Sequence, residues 1–457
     1  MVMNEAGKAF ARDMCGKRVT VCGIGTNNTP VVRMLLELGA VVTACDKRTR
    51  EQLGTVADEM EAAGVTLCLG ENYLSDLQGD IVIRTPGMKP YLPELLAARD
   101  RGITVTSEME LFMKYCPVPM IAVTGSDGKT TSSTVIAGML QAGGKTVHLG
   151  GNIGRPLLPI LGDIGPQDAV VAELSSFQLT GMVQSPQTGV ITNVAPNHLD
   201  WHTDMQEYID AKRNLVAHQD GQGRAVLNAD NDITASYAEN LPGQVYWFSR
   251  RRAVPRGAYL RQDGMLCLVQ DGQEIPVLAA NEIKIPGVHN VENYLGAFAA
   301  LSGKVDLQVM AQYARTFAGV KHRCELVREL GGVRWYNDSI GSSPSRTIAG
   351  LLAFDRKVIL IAGGYDKHIP YDPLGPVAAK TVKTALLLGA TAPAIEKAIG
   401  AAVPCERVAD MEQAVARAAQ IAQQGDIVFM SPASASFDMY KNFEQRGEHF
   451  RSLVLAL

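Results

Sequence analysis

A glycine-rich run with one lysine and two threonines is the strongest chemical signal in this sequence. Gly125-Ser126-Asp127-Gly128-Lys129-Thr130-Thr131 follows the apolar run IAVT and precedes a helix-compatible stretch. Backbone N–H groups of such a turn and the next helix N-terminus bind phosphates, while Lys129 can neutralise them and the Thr130 hydroxyl can bind Mg²⁺. The run is two residues shorter than the usual phosphate loop, so a chance Gly-Lys turn is the alternative.

Polar side chains that could serve the same nucleotide follow further along the chain. Glu173 ends the run VVAE and His198 follows VITNV, so both lie at carboxyl ends of predicted parallel strands, where α/β folds bind ligands. A carboxylate there can bind the nucleotide's Mg²⁺. An exposed strand-end Glu and a structural His are the alternatives, and His202 could replace His198. Lys212 lies on a helix predicted from about Met205, where a solvated lysine is the ordinary interpretation.

The first glycine turn along the chain, Gly23-Ile24-Gly25-Thr26-Asn27-Asn28, follows the first predicted strand. It resembles a dinucleotide-binding fingerprint without its third glycine, and Asp46 ends the next strand, where an acidic residue often binds a ribose hydroxyl. A tight turn without a ligand fits the sequence equally well. An NAD-dependent function would rest on this fragment alone.

Short β-rich runs alternate with helical-period segments along most of the chain, which predicts an α/β fold with mainly parallel sheets. Residues 244–285 differ, because their short runs separated by turns predict antiparallel strands. New α/β series begin near residues 121 and 319. We therefore expect domains at 1–112, 113–319 and 320–457.

The composition is that of an ordinary globular protein. The chain has 457 residues, 46% of them apolar, and 43 Lys+Arg against 47 Asp+Glu give a net charge of −4. This balance gives no electrostatic signature of nucleic-acid or membrane-surface binding. No apolar run approaches the ~20 residues of a membrane helix. The N-terminus has no signal-peptide core, and the eight cysteines form no C-x-x-C pair, so we expect a cytoplasmic protein with reduced thiols.

Ordered motifs over essentially the whole chain resemble the Mur ligases, which build the peptide stem of peptidoglycan. After GSDGKTT come GGNIG (150–154), ELSSFQL (173–179), NVAPNHLD (193–200), IPGVHNVEN (285–293), His322-Arg323 and Asn337-Asp338-Ser339. The tail MSPASASFDMYKNFEQRG (430–447) is similar to that of the D-glutamate-adding members. The resemblance implies a first domain that binds UDP, a second that binds ATP, and a third that closes over both and binds the amino acid.

This resemblance also implies a reaction. D-Glutamate would be ligated to UDP-N-acetylmuramoyl-L-alanine through an acyl phosphate, with ATP and two Mg²⁺ ions. Lys129, Glu173, His198 and Lys212 would be the catalytic residues. Thr130 and Glu173 would hold the first ion and His198 the second, and Lys212 would become a carbamate that supplies oxygen ligands. No nucleic acid and no membrane insertion are implied, and we expect a monomer.

The remaining site residues implied by the resemblance divide into two groups. Those for ATP are Gly125, Ser126, Asp127, Gly128, Lys129, Thr130, Thr131, Asn290, Asn293, Arg323 and Asp338. Those for the UDP substrate and D-glutamate are Gly25, Thr26, Asp46, Thr85, Gly87, Asn152, Lys367, Ser436 and Phe443. Core packing is the alternative for Phe443.

The sequence departs from the family after Asn337-Asp338-Ser339. Many relatives continue with Lys-Ala-Thr-Asn, whereas this chain has Ile340-Gly341-Ser342-Ser343. Ser342 could replace the threonine hydroxyl, but Ile340 cannot replace a lysine. Local nucleotide and D-glutamate contacts should therefore differ.

Three other functions compete with this interpretation. A related ligase could add a diamino acid or extend folate with glutamate, although the NFEQRG tail argues against it. A non-catalytic nucleotide-gated binding module would not need Lys129, Thr130, Glu173 and His198 together. The third, an NAD-dependent oxidoreductase, would need nicotinamide binding at the first glycine turn.

Overall fold

The computed structural model describes residues 3–25, 28–367 and 369–457, and these residues form three sheets covered by helices. One compact unit comprises the chain up to Ala280 together with Glu292–Tyr313, and the other comprises Asn281–Val291 with Ala314–Leu457. The first two sheets lie in the first unit and the third sheet in the second. The expected α/β class is confirmed. No helix among the described residues is long and apolar enough to cross a membrane.

The first sheet is parallel and has the strand order β3-β2-β1-β4-β5. Its central strands are apolar and buried because helices cover the sheet. The order reverses between β1 and β4, where α/β folds form a ligand crevice. The elements are α1 Glu5–Met14, β1 Arg18–Cys22, α2 Asn28–Glu37, β2 Val41–Asp46, α3 Arg50–Leu53, α4 Thr55–Ala62, β3 Thr66–Leu69, β4 Ile81–Arg84, α5 Pro93–Asp100, β5 Thr104–Ser107 and α6 Glu108–Tyr115.

Three of the cysteines, which look scattered in the sequence, lie in one row across this sheet. Cys45 is the register partner of both Cys22 and Cys68 on the neighbouring strands. A hydrogen bond with Cys22 and burial raise the pKa of the Cys45 thiol, and burial raises that of Cys68. Since the thiolate is the reactive form, Cys45 and Cys68 are unreactive packing thiols at neutral pH.

The second sheet has the order β14-β13-β12-β11-β10-β9-β6-β8-β7. From β12 to β7 in this order, including β6, each strand pairs in parallel with the next. Only the pairs β12–β13 and β13–β14 are antiparallel in the described part. The antiparallel prediction for 244–285 is thus right for β12 to β14 and wrong for β11, since residues 250–256 bring the chain back for a parallel pairing. The strands are β6 Met120–Thr124, β7 Val147–Gly151, β8 Ala169–Glu173, β9 Thr188–Ile191, β10 Arg224–Asn228, β11 Gln244–Ser249, β12 Gly257–Leu260, β13 Met265–Gln270 and β14 Gln273–Ala279.

Helices follow the strands of this part of the chain. They are α7 Lys129–Ala142, α8 Ser176–Leu179, α9 Met205–Ala217, α10 Asp232–Ser236, α11 Val288–Leu301 and α12 Leu307–Thr316, with 3₁₀ turns at Leu158–Asp163 and Ala280–Glu282. The predicted helix from Met205 is confirmed. Its N-cap is Asp204, whose carboxylate accepts the N–H of Glu207 at 2.8 Å.

The third sheet has the order β15-β16-β20-β17-β18-β19, and only β15–β16 is antiparallel among its described pairs. The predicted cap of the helix before β20 is confirmed, because Asp410 accepts the N–H of Gln413 at 2.8 Å. The elements are β15 Glu325–Leu330, β16 Val333–Asn337, α13 Pro344–Leu351, β17 Val358–Gly363, α14 Leu374–Thr381, β18 Val382–Leu388, α15 Ala392–Ile399, β19 Cys405–Arg407, α16 Met411–Ile421, β20 Ile427–Met430 and α17 Phe443–Ala456.

Buried polar groups join the first two sheets within their unit. The Glu108 carboxylate accepts the N–H groups of Leu157 and Leu158 at 2.9 and 2.7 Å, and Arg84 donates to the Thr180 carbonyl at 2.9 Å. Burial raises the pKa of Glu108, against the effect of those N–H groups. These contacts fix the carboxyl edge of the first sheet against the second.

Candidate functional site

The glycine-rich run forms a loop between β6 and α7, as predicted. Gly128 is the N-cap of α7 with φ 77°, and a Cβ there would lie 2.4 Å from Asn293 Oδ1. Gly125 has φ 152°, and a Cβ there would lie 1.8 Å from Thr192 Oγ1. Both positions require glycine, because the loop backbone runs against neighbouring side chains. The result is a bare backbone turn at a helix N-terminus, which is a phosphate-binding geometry.

Side chains of the loop are tied to the segment that follows β9. Ser126 Oγ donates to the Ala195 carbonyl at 2.9 Å and lies 2.8 Å from the Tyr208 hydroxyl. The Lys129 ammonium donates to the carbonyls of Gly125 and Ser126 at 2.8 and 2.9 Å. It is therefore curled over the loop, where it can turn towards a bound phosphate. Thr130 is half-buried in the first turn of α7 and Thr131 is buried, whereas Asp127 is exposed.

Glu173 ends β8 beside the loop strand, as predicted. Its side chain is 2% exposed, and Oε1 accepts from Asn152 Nδ2 at 2.8 Å. Oε2 is buried without a hydrogen-bond partner in the described structure. A buried carboxylate oxygen is costly unless a cation or donor meets it. Mg²⁺ bound by nucleotide phosphates and one or two protein oxygens fits this atom. Within the described residues, no three His, Cys, Asp or Glu side chains form a metal site by themselves.

Lys212 lies on α9 next to the phosphate loop and is 1% exposed. Its amine donates to the Gly125 carbonyl at 2.8 Å and lies 4.6 Å from the centre of the Tyr208 ring. Burial and the nearby Lys129 charge lower the pKa of Lys212 well below its usual value, against the attraction of Asp127 and Glu173. The solvated-lysine alternative is wrong, since this amine is buried and favours its neutral form.

The structure distinguishes the two histidines after β9. His198 is exposed with φ 54°, and its ring lies 5.0 Å from that of Phe177. His202 is buried, and its Nε2 lies 3.0 Å from Ser176 Oγ. Burial lowers the pKa of His202, with nearby Glu207 opposing that effect. His202 is therefore a structural residue, and His198 is the accessible imidazole.

The first glycine turn and the segment after β4 meet at the carboxyl edge of the first sheet. Gly23 has φ 92°, and a Cβ there would lie 3.0 Å from Thr85 Cβ. Asp46 is buried and accepts the Ile24 N–H at 2.7 Å and Arg48 Nη2 at 2.8 Å. Burial favours a raised pKa for Asp46, but these bonds outweigh it and hold the pKa at about 2. Asp46 thus shapes the turn itself.

Other predicted residues of this edge are open to solvent. Gly25 and Gly87 are exposed. In the second sheet, Asn152 follows β7 and is also exposed, with its amide turned to Glu173. Thr26 lies outside the described residues. Asn293 Oδ1 accepts from Ser132 Oγ at 3.1 Å, so α11 is fixed against α7. In the second unit, Asn290 donates to the Pro286 carbonyl at 2.6 Å.

In the second unit, Asp338 follows β16 and is buried. It accepts the Cys324 N–H at 3.1 Å and the Ser431 hydroxyl at 2.7 Å. Burial raises its pKa to about 6, although those bonds and the charges of Arg323 and Arg346 oppose the rise. A Cβ on Gly341 would lie 2.5 Å from Asp338 Oδ2. At Gly341, within the segment Ile340-Gly341-Ser342-Ser343, the backbone therefore lies close to this carboxylate.

The tail residues also lie in the second unit. Ser436 is buried, Phe443 is half-buried at the start of α17, and Lys367 is exposed. The core-packing alternative for Phe443 therefore holds only in part. Arg446 is 1% exposed and donates to the Ser434 and Ala435 carbonyls at 3.1 and 3.0 Å. It fixes the loop that carries Ser436, a role that the sequence motif alone did not reveal.

Family models match the chain in three segments. The Mur ligase MurD-like N-terminal domain matches residues 17–107, the Mur ligase middle domain matches 123–301, and the Mur ligase glutamate ligase domain matches 322–434. The matches follow the order of the three sheets and together cover most of the chain.

Curated relatives match over the full length. A UDP-N-acetylmuramoylalanine–D-glutamate ligase of Acetivibrio thermocellus is 50% identical over 466 residues, with 100% of both chains covered. Proteins of the same name from Clostridium novyi and Clostridium beijerinckii are 47% and 48% identical, with 99% and 100% of each chain covered.

Solved structures show the same fold. UDP-N-acetylmuramate–alanine ligase MurC from Thermotoga maritima matches with a TM-score of 0.58 at 16% identity, covering 96% of this chain and 99% of that chain. A pseudomurein peptide ligase type C from Methanothermus fervidus matches with a TM-score of 0.54 at 19% identity, covering 96% and 100%. The family models and the full-length relatives show that this chain belongs to the Mur ligase family, the ATP-dependent ligases of peptidoglycan precursor synthesis.

Proposed function

We propose that this Mur ligase joins D-glutamate to UDP-N-acetylmuramoyl-L-alanine and converts ATP to ADP and phosphate. The full-length relatives carry the name of that reaction, and the tail at 430–447 is similar to that of D-glutamate-adding members. A cytoplasmic monomer fits this role, since the substrates are small molecules.

The observation that carries the proposal is the group at the carboxyl edge of β6 and β8. A bare glycine turn, a buried carboxylate with an unpaired oxygen and a buried lysine meet there around Gly125, Glu173 and Lys212. A protein that only binds a nucleotide does not need a second metal site beside the phosphate loop, which His198 would serve. The arrangement suits phosphoryl transfer, in which positioning and charge stabilisation do most of the work.

In the first step the substrate carboxylate attacks the γ-phosphate of ATP and ADP leaves, which gives an acyl phosphate. Two anions must approach each other, so the site must concentrate positive charge. Lys129 turns from its carbonyls towards the β- and γ-phosphates, and the loop N–H groups bind the phosphate oxygens. When bound, Mg²⁺ neutralises phosphate charge. Thr130 and Glu173 would hold one ion, and His198 would serve the second.

Lys212 would bind CO₂. Its neutral amine attacks CO₂, a C–N bond forms, and one proton is released to give a carbamate. The amine is prepared for this by burial and by Lys129, which favour the neutral form. The product replaces a buried neutral amine by an anionic oxygen donor, which is the ligand type that Mg²⁺ prefers.

In the second step the D-glutamate amine attacks the acyl carbon and phosphate leaves. Lys367, Ser436 and Phe443 would hold D-glutamate, since a dicarboxylate needs a cation and hydroxyl donors. Asn290, Asn293, Arg323 and Asp338 would contact the nucleotide. Gly25, Asp46, Thr85 and Gly87 would form the UDP end of the substrate site, and Asn152 would lie near the transferred phosphate.

Phosphate release tests this function. The purified protein is incubated with ATP, Mg²⁺ and UDP-N-acetylmuramoyl-L-alanine, and D-glutamate, L-glutamate, L-lysine or meso-diaminopimelate is added. We expect phosphate release only with D-glutamate and only when the UDP substrate is present. Equal release with L-glutamate or with a diamino acid would contradict the proposed specificity.

A further inference from the structure

We infer that Glu207 is a positioning residue that ties the segment after the proposed UDP site to the loop that carries His198. The inference rests on the proposed function and adds a residue that the sequence did not single out. Glu207 lies in the first turn of α9, the helix that also carries Lys212. Its side chain is 17% exposed and accepts one hydrogen bond from a segment distant in the sequence and one from the residues just before α9.

We call the contact between the segment after β4 and the segment before α9 the junction. The Glu207 carboxylate accepts hydrogen bonds from both sides of it. Oε1 accepts the Tyr91 hydroxyl from the segment after β4, and Oε2 accepts the Thr203 N–H from the segment before α9. Lys89 lies 3.9 Å from Oε2 and supplies an opposite charge. Burial favours a raised pKa for Glu207, but the bonds from Tyr91 and Thr203 and the Lys89 charge outweigh it. The carboxylate is therefore ionised and anchors both segments.

Trp201 provides a second connection across the same junction. Its indole N–H donates to the Gly87 carbonyl at 3.0 Å, and the Lys89 ammonium lies 5.2 Å from its ring centre. Gly87 belongs to the proposed UDP site, and Lys89 follows it by two residues. Trp201 and Glu207 thus hold residues 87–91 between them.

The other side of the junction is the turn at His198. The His198 carbonyl accepts the N–H groups of Trp201 and His202 at 3.1 and 3.0 Å. His202 Nδ1 lies 3.7 Å from Glu207 Oε2, and its Nε2 meets Ser176 in the helix after Glu173. Glu207 therefore supports the end of this turn through the Thr203 N–H that it accepts, and its carboxylate also lies beside His202 without a hydrogen bond to it.

Because these contacts are continuous, Glu207 sets the distance between the bound UDP substrate and the phosphoryl-transfer site. Displacing reacting groups by about 1 Å can cost on the order of 100-fold in rate. Loss of Glu207 should thus weaken binding of the UDP substrate and slow the reaction, while D-glutamate binding in the other unit stays as it is.

Steady-state kinetics test this role with Glu207→Leu, Glu207→Gln and Tyr91→Phe. In Glu207→Leu we expect the KM for the UDP substrate to rise about 10-fold and kcat to fall about 10-fold, with the KM for D-glutamate unchanged. In Glu207→Gln the amide oxygen can still accept the Thr203 N–H and the amide NH₂ can donate to the Tyr91 hydroxyl oxygen, so this variant should recover most of the loss. Tyr91→Phe should raise the same KM about 3-fold and add nothing in the Glu207→Leu background.

Glu59→Leu is the matched control, because this exposed glutamate pairs only with Arg33 among the described contacts. It should behave as wild type. A Glu207→Leu enzyme within twofold of wild type would overturn the inference, and so would a lower kcat with every KM unchanged. If Glu207→Leu does not fold, the KM for the UDP substrate in the other two variants decides. It should rise about 3-fold in Tyr91→Phe and stay near the wild-type value in Glu207→Gln, and an unchanged value in Tyr91→Phe would overturn the inference. The proposed function is tested separately, by turnover of the wild-type enzyme with its proposed substrates.

Discussion

At the scale of single residues, Lys212 makes the sharpest chemical prediction. Its amine is buried beside Lys129, so the charged form is disfavoured and CO₂ can react with it. With ¹³C-labelled CO₂ we expect a carbamate carbon signal in the wild type. The signal should be absent from Lys212→Arg, whose guanidinium stays protonated.

The same residue should be needed for turnover. We expect Lys212→Ala to lower kcat by about 100-fold or more, because the site loses an oxygen ligand for Mg²⁺. Lys145→Ala serves as the control, since Lys145 is an exposed lysine of the same sheet region that bonds to the Gln167 carbonyl. Full activity of Lys212→Ala at ordinary Mg²⁺ would rule out the carbamate role.

Asp338 predicts a pH dependence of stability. Burial raises its folded pKa to about 6, whereas an unfolded aspartate titrates near 3.9. Between about pH 4 and pH 6 the folded state therefore binds more protons than the unfolded state, and the free energy of unfolding falls as the pH rises. Over that pH range the free energy of unfolding of the wild type should fall by about 2 kcal/mol through Asp338, and Asp338→Asn should lack this fall.

Urea unfolding at several pH values measures this effect. Trp335 is buried on β16, three residues before Asp338, so its fluorescence can follow the second unit once Trp201 and Trp247 are replaced by Phe. Burial also lowers the pKa of His322, and comparing Asp338→Asn with its parent cancels the contribution of that imidazole. Parallel pH profiles for the two proteins would contradict the assignment.

At the scale of elements, the phosphate loop depends on glycines that leave no room for a side chain. Gly128→Ala places a methyl group 2.4 Å from Asn293 Oδ1 at φ 77°. We expect the KM for ATP to rise at least 10-fold, since the loop backbone must shift. Gly144→Ala is the control: it has φ 86° and no heavy atom within 4 Å of its Cβ.

The control variant should lose about 1 kcal/mol of stability through backbone strain and keep the wild-type KM for ATP. Isothermal titration with a non-hydrolysable ATP analogue gives the same comparison without turnover. Equal ATP affinity in the two variants would show that the close approach to Asn293 is unimportant.

Element positions were predictable from the sequence where local signals are strong. The strand before Gly125, the strand end at Glu173 and the helix with Lys212 follow from apolar runs and periodicity. The pairing of β11 was mispredicted, because short turn-separated runs look alike whether the chain returns by a hairpin or by a crossover. Which strands pair is decided by packing between residues that are far apart in the sequence. A local sequence pattern carries no information about that packing.

The residues that support the site were less predictable from the sequence than the polar residues that form it. Glu207 and Lys89 are ordinary surface residue types, and only the fold brings them together. The alignment of Cys22, Cys45 and Cys68 was equally hidden, because it depends on strand register. Sequence motifs indicated the reacting groups, whereas the residues that orient them became visible only in three dimensions.

At the scale of the whole molecule, the two units divide the proposed chemistry. The first holds the phosphate loop and the proposed UDP edge, and the second holds Asp338 and the D-glutamate residues. The proposed reaction therefore assigns roles in turnover to residues of both units. The central claim is that the UDP substrate's carboxylate takes the γ-phosphate before the amino acid captures the acyl group.

Oxygen-isotope transfer tests that claim most directly. UDP-N-acetylmuramoyl-L-alanine with an ¹⁸O-labelled carboxylate is turned over with ATP and D-glutamate, and the phosphate is analysed by ³¹P NMR. An acyl phosphate must break its C–O bond when the amine attacks, so we predict one ¹⁸O atom in each phosphate released from fully labelled substrate. Unlabelled phosphate, with the peptide product formed, would contradict the account.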